Sequence, residues 1–410
     1  MFEKDFKDNV LGYIEVTEKI IWDLIRTREF QRLQRINQLG GTYVIFHTTE
    51  HSRFSHSIGV YGITKKMIDT INGINLTKKE RIVVLCAALL HDIGHGPFSH
   101  AFEEIFNYHH ENYTVKFILE DSQINSVLKK YDETLPKEIA SIIQKTHPNK
   151  LLISLISSQF DADRLDYLIR DAYNTGVPYG NLDLQRLFKV MQVYDNRLVF
   201  KNTGLKEIEN YVLSRYHMYY QIYFHGKTSS FRIMIKNILL RYKYLTENKF
   251  EFKNNYDLLK PFINQNITNN DYYLLDDYTM YHYIKLFTFE EDLLLSDLSK
   301  RLLNGNILKY KNYTIDDESL INKMKYIYEK NNIDIDYFFE ITHLKKDAYN
   351  VINEPDEQLI YLIDENKNLI ELSVASPIIK FISFDNKEIK KTVFFPEILS
   401  EEVNNIIINM

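Results

Sequence analysis

Residues 91–100 read HDIGHGPFSH, three imidazoles and a carboxylate set around two glycines and a proline, directly after the apolar run RIVVLCAALL. A core helix gains nothing from such an ending. Mixed His/Asp donors suit a first-row divalent cation, because imidazole accepts Zn, Fe, Mn or Ni and a carboxylate hardens the site. Adjacent helical residues point about 100° apart, yet at a helix end His91 and Asp92 can lean toward one ion. Gly94 is expected to stop the helix and let His95 approach from a loop. Two other segments add donors. HSRFSHSIGV carries Arg53 and His56 at the three-residue spacing of one helical face. FDADRLDYLIRDAYNTG opens with Asp161 and Asp163 and continues with Arg164, Tyr167, Arg170 and Asp171. One of the two leading aspartates is expected to cap its helix, and spacing alone does not say which. Singly, each feature has an ordinary structural explanation. Together, one His, an adjacent His–Asp pair and one Asp make a site with positions open to water and phosphate.

The elements that must carry these residues are mostly helices, from about residue 17 to 247. REFQRLQRINQL (28–39) sets Phe30, Leu33, Ile36 and Leu39 on one stripe, and GG follows as a stop. HSRFSHSIGVYGITKKMIDTIN reads as a long helix despite two glycines, each costing roughly 1 kcal/mol in an exposed interior; close packing of helices explains them better. TKKERIVVLCAALLHD has Thr77 as a capping candidate. Further helices are predicted at 98–107, 110–120, 136–145, 163–173, 205–224 and 229–246. KVMQVYDNRLVFK predicts a hairpin turned at DN. Polar, Asn-rich stretches (EFKNNYD, NQNITNNDYY) mark a boundary near 250–275. Beyond it, EQLIYLIDENKNLIELSV and IIKFISFDNKEIKKTVFF read as strands turned at DENKN and FDNKE. The expected fold is mainly α: a helical core over 1–250, then an α+β lobe over 251–410 with a small antiparallel sheet.

Composition narrows the functional classes. The formal net charge of −6 argues against a non-specific coat for nucleic acid, so any phosphate site needs locally placed Arg and Lys. Cys86 is the only cysteine and lies inside an apolar run, which excludes a disulfide framework and points to a reducing compartment. The start MFEKDFKDNV lacks the apolar stretch of a signal peptide, and the longest apolar run, Ile82 to Leu90, is too short to span a bilayer. A cytoplasmic protein with no membrane partner is expected.

The order H…HD…D, carried by RFSHSIGV, HDIGHGPFSH and DADRLDYLIRD, resembles the HD-domain phosphohydrolases. The likeness is greatest to their deoxynucleoside triphosphate triphosphohydrolase branch, and FQRLQRINQLGG, HHEN and SRYHMYYQIYFHGK extend it over about half the chain. The resemblance implies an HD-type helical core and a metal held by His56, His91, Asp92 and Asp163. The ion would be Mn, Fe, Zn or Ni, with Mg accompanying a triphosphate. A metal-activated water would attack the α-phosphorus of a dNTP and release deoxynucleoside and triphosphate. His110 matches the general acid, and Glu111 is expected to orient it. His95 and His100 match positions facing the phosphates, with Glu103 behind them. Arg53, Arg164 and Arg215 match the triphosphate grip. Tyr167 and Tyr223 match an aromatic wall against the 2′-hydroxyl, Asp171 the acceptor for the 3′-hydroxyl, and Gln38 and Leu39 the sugar and base contacts. A loose aromatic wall favours a general dNTP enzyme over a dGTP-specific one.

Relatives of this branch assemble as dimers or tetramers, so a homo-oligomer is expected. Some take a nucleotide effector through an Asp before a TPxFQRLR run. Here IRTREFQRLQR puts Arg26 in place of that Asp and Gln34 in place of the last Arg, so an effector would meet a different, more cationic reader. Two other readings compete: an HD-type phosphodiesterase or nuclease on single-stranded nucleic acid, which needs a continuous basic groove, and a non-catalytic nucleotide sensor, which would not need His110.

Overall fold

A computed structural model describes residues 2–106, 109–264, 266–314, 316–344, 348–351, 355–385 and 390–408. Its centre is the helix Lys78–Leu90, whose residues from Val83 to Leu90 are all fully buried. Being apolar on every side, it must be surrounded. The helices Arg53–Thr70 and Leu135–Ile143 pack on it, and Ala162–Thr175 packs on Arg53–Thr70 in turn. Thr77 opens the central helix with a reciprocal capping box: its hydroxyl accepts from Glu80 N, and the Glu80 carboxylate accepts from Thr77 N. The helices Leu205–Met218 and Gly226–Glu247 follow, the second close to its expected bounds and the first stopping short of residue 224.

The mainly helical expectation holds, and the small sheets are antiparallel with one exception. Arg197–Lys201 pairs antiparallel with Met191–Tyr194 through the DN turn, where Asp195 and Asn196 have φ of 50° and 56°, the left-handed pair that a two-residue hairpin demands. On its other edge Arg197–Lys201 pairs parallel with Tyr361–Ile363, which forms a hairpin with Leu369–Glu371. The sheet thus joins segments from both sides of residue 250. A second sheet places Lys390–Phe395 between Lys309–Asn312 and Glu340–Leu344. Among the described residues no helix is long and apolar enough to cross a membrane.

Three local expectations fail, and one element lies where none was expected. IIKFIS is not a strand: Ser376 caps a short helix, Pro377–Lys380, that runs into a π turn at Phe381–Asp385. Local capping there overrides alternation, and the expected FDNKE turn runs into residues outside the described set. The 28–39 helix stops early, as Arg28–Arg32 followed by one 3-10 turn, Leu33–Arg35. The next amides are used elsewhere, Asn37 N by Asp277 and Gln38 N by His51 O. Gly94 does not end the central helix, which closes at Leu90. Its glycine serves close approach instead, since a Cβ would lie 2.1 Å from His110 O. Finally, the first residues form a hairpin, Lys4–Asp8 with Gly12–Val16, which the charged text KDFKD disguised.

Candidate active site

His56, in the first turn of the Arg53–Thr70 helix, His91, at the end of the central helix, and Asp163, in the first turn of a third, meet with their donor atoms all within 4.8 Å of one another. His56 Nε2 lies 3.1 Å and His91 Nε2 3.6 Å from Asp163 Oδ1. Asp92 stands at the rim, Oδ1 3.5 Å from His91 Nε2 and Oδ2 3.8 Å from His56 Nε2. Asp161 settles the question of the cap. Its carboxylate accepts from Ser158 N and Arg164 N, so it closes the helix start while Asp163 faces the imidazoles.

These residues fit a divalent cation. Both imidazoles are oriented through Nδ1: His56 donates to Asp166 Oδ2 at 2.9 Å, and His91 donates to Ala88 O at 2.9 Å. That fixes the tautomer and leaves each Nε2 as a lone-pair donor. Both Nε2 atoms are buried and make no hydrogen bond, an arrangement that a cation would satisfy. The electrostatics agree. Burial disfavours charge on His56, yet the Asp163 and Asp166 carboxylates raise its pKa to about 10, and Asp92 and Asp163 raise that of His91 against the same burial. Asp163 is held far below the ordinary carboxylate range, against burial, by the two imidazoles. The pocket is built to hold positive charge.

Behind His56 runs a chain of buried pairs that the sequence reading did not single out. Asp166, which holds His56, accepts from Arg170 Nε and Nη2 at 2.8 and 2.9 Å, and Arg170 Nη1 donates to Asp8 of the N-terminal hairpin at 2.8 Å. The i, i+4 spacing of Asp166 and Arg170 in DYLIR was the available signal. Gly59 makes room for the pair: a Cβ there would lie 1.9 Å from Asp166 Oδ1 and 2.4 Å from Arg170 Nη2.

Beside this centre the His95 and His110 rings stack, centroids 3.8 Å apart and planes within 15°. Lone pairs lie in the ring planes, so near-parallel rings cannot converge on one small ion, although Asp92, His95 and His110 are close enough to suggest a second site. Burial and the Arg53 guanidinium hold His95 well below the usual histidine range, and so neutral. Glu111 is not the partner of His110. It is exposed on the next position of the helix, about 100° around the axis, and Glu103 Oε1 takes His110 Nδ1 instead at 2.7 Å and His110 N at 3.0 Å. His100 begins the His100–Phe106 helix; its side chain lies outside what the structure describes.

A cavity of about 390 Å³ opens next to the centre, lined by Gln38, Leu39, Arg53, Tyr167, Asp171 and Tyr223 among others. That volume is in the range of small-molecule sites, roughly 300–1,000 Å³. Arg53 connects the two regions, donating to Asp92 Oδ2 and, at 2.9 Å, to Ser99 Oγ. The Tyr167 and Tyr223 rings meet edge to face at 6.2 Å. Tyr223 closes the π turn Tyr219–Tyr223, which interrupts the helix expected over 205–224; such turns gather at functional sites. The Tyr223 hydroxyl donates to Asp171 Oδ2 at 2.7 Å, and His51 Nε2, another residue missed in the sequence, sits 2.9 Å from Asp171 Oδ1. Arg164 and Arg215 do not line the cavity. Arg164 pairs with Asp161, while Arg215 Nη1 donates to Gln159 O at 3.1 Å, and both guanidiniums act electrostatically on the Tyr167 hydroxyl.

Comparison with known proteins agrees with this geometry. Residues 53–171 match the HD domain and residues 182–409 the HD associated region. The uncharacterized Bacillus subtilis protein YwfO is 42% identical over 387 residues, 93% of this chain and 89% of that protein. A Dictyostelium discoideum protein, named deoxynucleoside triphosphate triphosphohydrolase SAMHD1 homolog, is 34% identical over 252 residues; the match covers 57% of this chain and 48% of that protein. The crystal structure of a Bacteroides thetaiotaomicron phosphohydrolase superposes with a TM-score of 0.84 at 29% identity, over 97% of this chain and all of that one. The chain belongs to the HD-domain phosphohydrolases, a class of metal-dependent hydrolases, and carries the HD domain together with the associated region.

Proposed function

We propose that the protein hydrolyses deoxynucleoside triphosphates to deoxynucleoside and triphosphate. The observation that carries this reading is the joining of a metal-type His/Asp centre, through Arg53, to a cavity walled by Tyr167 and Tyr223 with Asp171 at its side. His56, His91, Asp92 and Asp163 would hold the cation, of the Mn, Fe, Zn or Ni class, with Mg accompanying the triphosphate. Such a cation lowers the pKa of a coordinated water toward neutrality and so supplies a nucleophile. Water attacks the α-phosphorus, the bond from phosphorus to the 5′-oxygen breaks, and that oxygen takes a proton from His110. Glu103 supports this role, because its carboxylate on Nδ1 orients the ring and aims Nε2 as the donor. His95, kept neutral, adds no cation beside the acid. Arg53 and His100 are assigned to the phosphates, while Arg164 and Arg215, which lie behind the cavity lining, are assigned to the Tyr167 hydroxyl on which they act. The Tyr223–Asp171–His51 group is assigned to the sugar, where Tyr167 and Tyr223 would exclude a 2′-hydroxyl and Asp171 would accept from the 3′-hydroxyl. Gln38 and Leu39 are assigned to the sugar and base.

The test is product identification from dNTPs, rNTPs and a single-stranded DNA oligomer with Mn²⁺ or Mg²⁺. Triphosphate and deoxynucleoside are expected; dNMP or shortened DNA would replace this reading with a phosphodiesterase, and no turnover with a sensor. Asp163→Ala should lose metal and activity together, and His110→Ala should keep metal while losing turnover. Wild-type turnover by His110→Ala removes His110 from the acid role.

A further inference from the structure

A short stretch of the HD associated region, Tyr272 to Tyr281, touches several of the loops around the site. The Tyr272 hydroxyl donates to Gly94 O, within HDIGH. Arg32 Nε donates to Leu275 O at 2.9 Å, and Arg35 pairs with Asp276. The Tyr43 and Tyr281 hydroxyls bond each other. Between these contacts Asp277, only 3% exposed, accepts from two backbone amides far apart in sequence: Asn37 N on Oδ2 at 2.8 Å and Phe98 N on Oδ1 at 3.0 Å.

Each amide stands beside a wall of the cavity. Asn37 precedes Gln38 and Leu39, and Phe98 precedes Ser99, the residue that receives the Arg53 guanidinium. Phe98 and Ser99 have φ of 52° and 48°, two successive non-glycine residues in the left-handed region. Such backbone persists only where its surroundings over-determine it, and here the bond to Phe98 N and the bonds to Ser99 Oγ supply that restraint. Burial raises the Asp277 carboxyl to about 6, so the group remains an anion at neutral pH in a setting that resists charge. A carboxylate kept there must be serving as an acceptor.

We propose that Asp277 is a positioning residue, whose carboxylate pins the Asn37 and Phe98 amides and so holds the Gln38–Leu39 and Phe98–Ser99 walls of the cavity in register. The HD associated region then not only lines part of the cavity but also holds the walls contributed by residues 38–39 and 98–99. The consequence for nucleotide affinity rests on the proposed function; the clamp on the two amides does not.

Hydrogen exchange read by mass spectrometry, on peptides covering residues 36–41 and 96–101, tests the clamp directly. In the wild-type protein both amides should exchange slowly. Asp277→Asn keeps the shape but offers one acceptor where two are needed, so exchange should rise roughly tenfold in at least one of the two peptides, the loss expected for one charge-assisted bond. Metal content and exchange elsewhere should be unchanged, and KM for a dNTP should rise roughly tenfold with kcat held within about twofold. Unchanged exchange in both peptides of the variant overturns the proposal. Should the variant fail to fold, the wild type decides: rapid exchange at Asn37 and Phe98 overturns the clamp and protection supports it. If exchange responds as expected but no dNTP is turned over by the wild type, the clamp stands and the dNTP reading falls.

Discussion

Replacing Gly59 by Ala should damage the metal centre, although the substitution lies one helical turn from any ligand and would ordinarily help a helix. Gly→Ala in a helix interior gains about 1 kcal/mol. At this position the new Cβ would lie 1.9 Å from Asp166 Oδ1 and 2.4 Å from Arg170 Nη2. Neither group can step aside cheaply. Both are at most 1% exposed, and Arg170 is held at its other end by Asp8. Disrupting a buried ion pair costs about 3 to 5 kcal/mol. Net of the helix gain, Gly59→Ala should destabilise the protein by roughly 2 to 4 kcal/mol. His56 would also lose the acceptor that fixes its tautomer, for which metal affinity falls about 10- to 100-fold. Gly62→Ala is the control on the same helix, because its Cβ would meet only the apolar Ile14 side chain, at 3.0 Å and beyond. Urea unfolding gives the stability, and titration against a metallochromic chelator gives the affinity. A Gly59→Ala protein that is more stable than wild type and binds metal as tightly would refute the role assigned to the Asp166–Arg170 pair.

Glu103→Gln should keep metal content and lower kcat roughly 10- to 100-fold by removing the charge behind His110; full activity would detach Glu103 from the proton donor. Tyr223→Ala should admit ribonucleoside triphosphates, and unchanged rejection measured as the rNTP/dNTP ratio of kcat/KM removes Tyr223 from the sugar wall. Acid stability should report Asp277. Its carboxyl, faced by the Asn37 and Phe98 amides, Arg32, Asp276, Tyr43 and Tyr281, titrates at about 6 when folded against 3.8 as its ordinary value. The folded state therefore binds the proton more tightly, and the stabilisation, complete below about 3.8, is lost as pH rises through about 6. Relative to Asp277→Asn, the wild type should lose up to roughly 3 kcal/mol between about pH 4 and pH 7, and parallel stability curves for the two proteins would contradict this.

The segments that meet at the His/Asp cluster were legible in the sequence because a donor set has a short alphabet. His56, His91, Asp92 and Asp163 each have an ordinary structural explanation singly and gain meaning only in combination, while their helices announce themselves by periodicity. Supporting residues were less visible, because their meaning depends on three-dimensional neighbours. Asp166 looks like any helical acid until His56 lies 2.9 Å away, and His51 like a loop residue until it meets Asp171. Glu111 adjoins His110 in sequence, whereas Glu103, on the preceding helix, adjoins it in space. Asp277 had no signal at all, since its partners are backbone amides. The missed strands failed for another reason. Lys309–Asn312 and Glu340–Leu344 find their pairing partner in Lys390–Phe395, and that pairing outweighs weak local alternation.

The parallel pairing of Phe200 with Leu362 also sets an order of events at the ribosome. When the DN hairpin emerges, the outer edge of its second strand has no neighbour until about 160 more residues have been made, a wait of roughly 10 to 30 s at ordinary elongation rates. Through that interval the nascent chain presents an open strand edge, the kind of surface that seeks pairing with other chains. Cell-free synthesis arrested before Tyr361 should therefore give more pelleted product than the full chain.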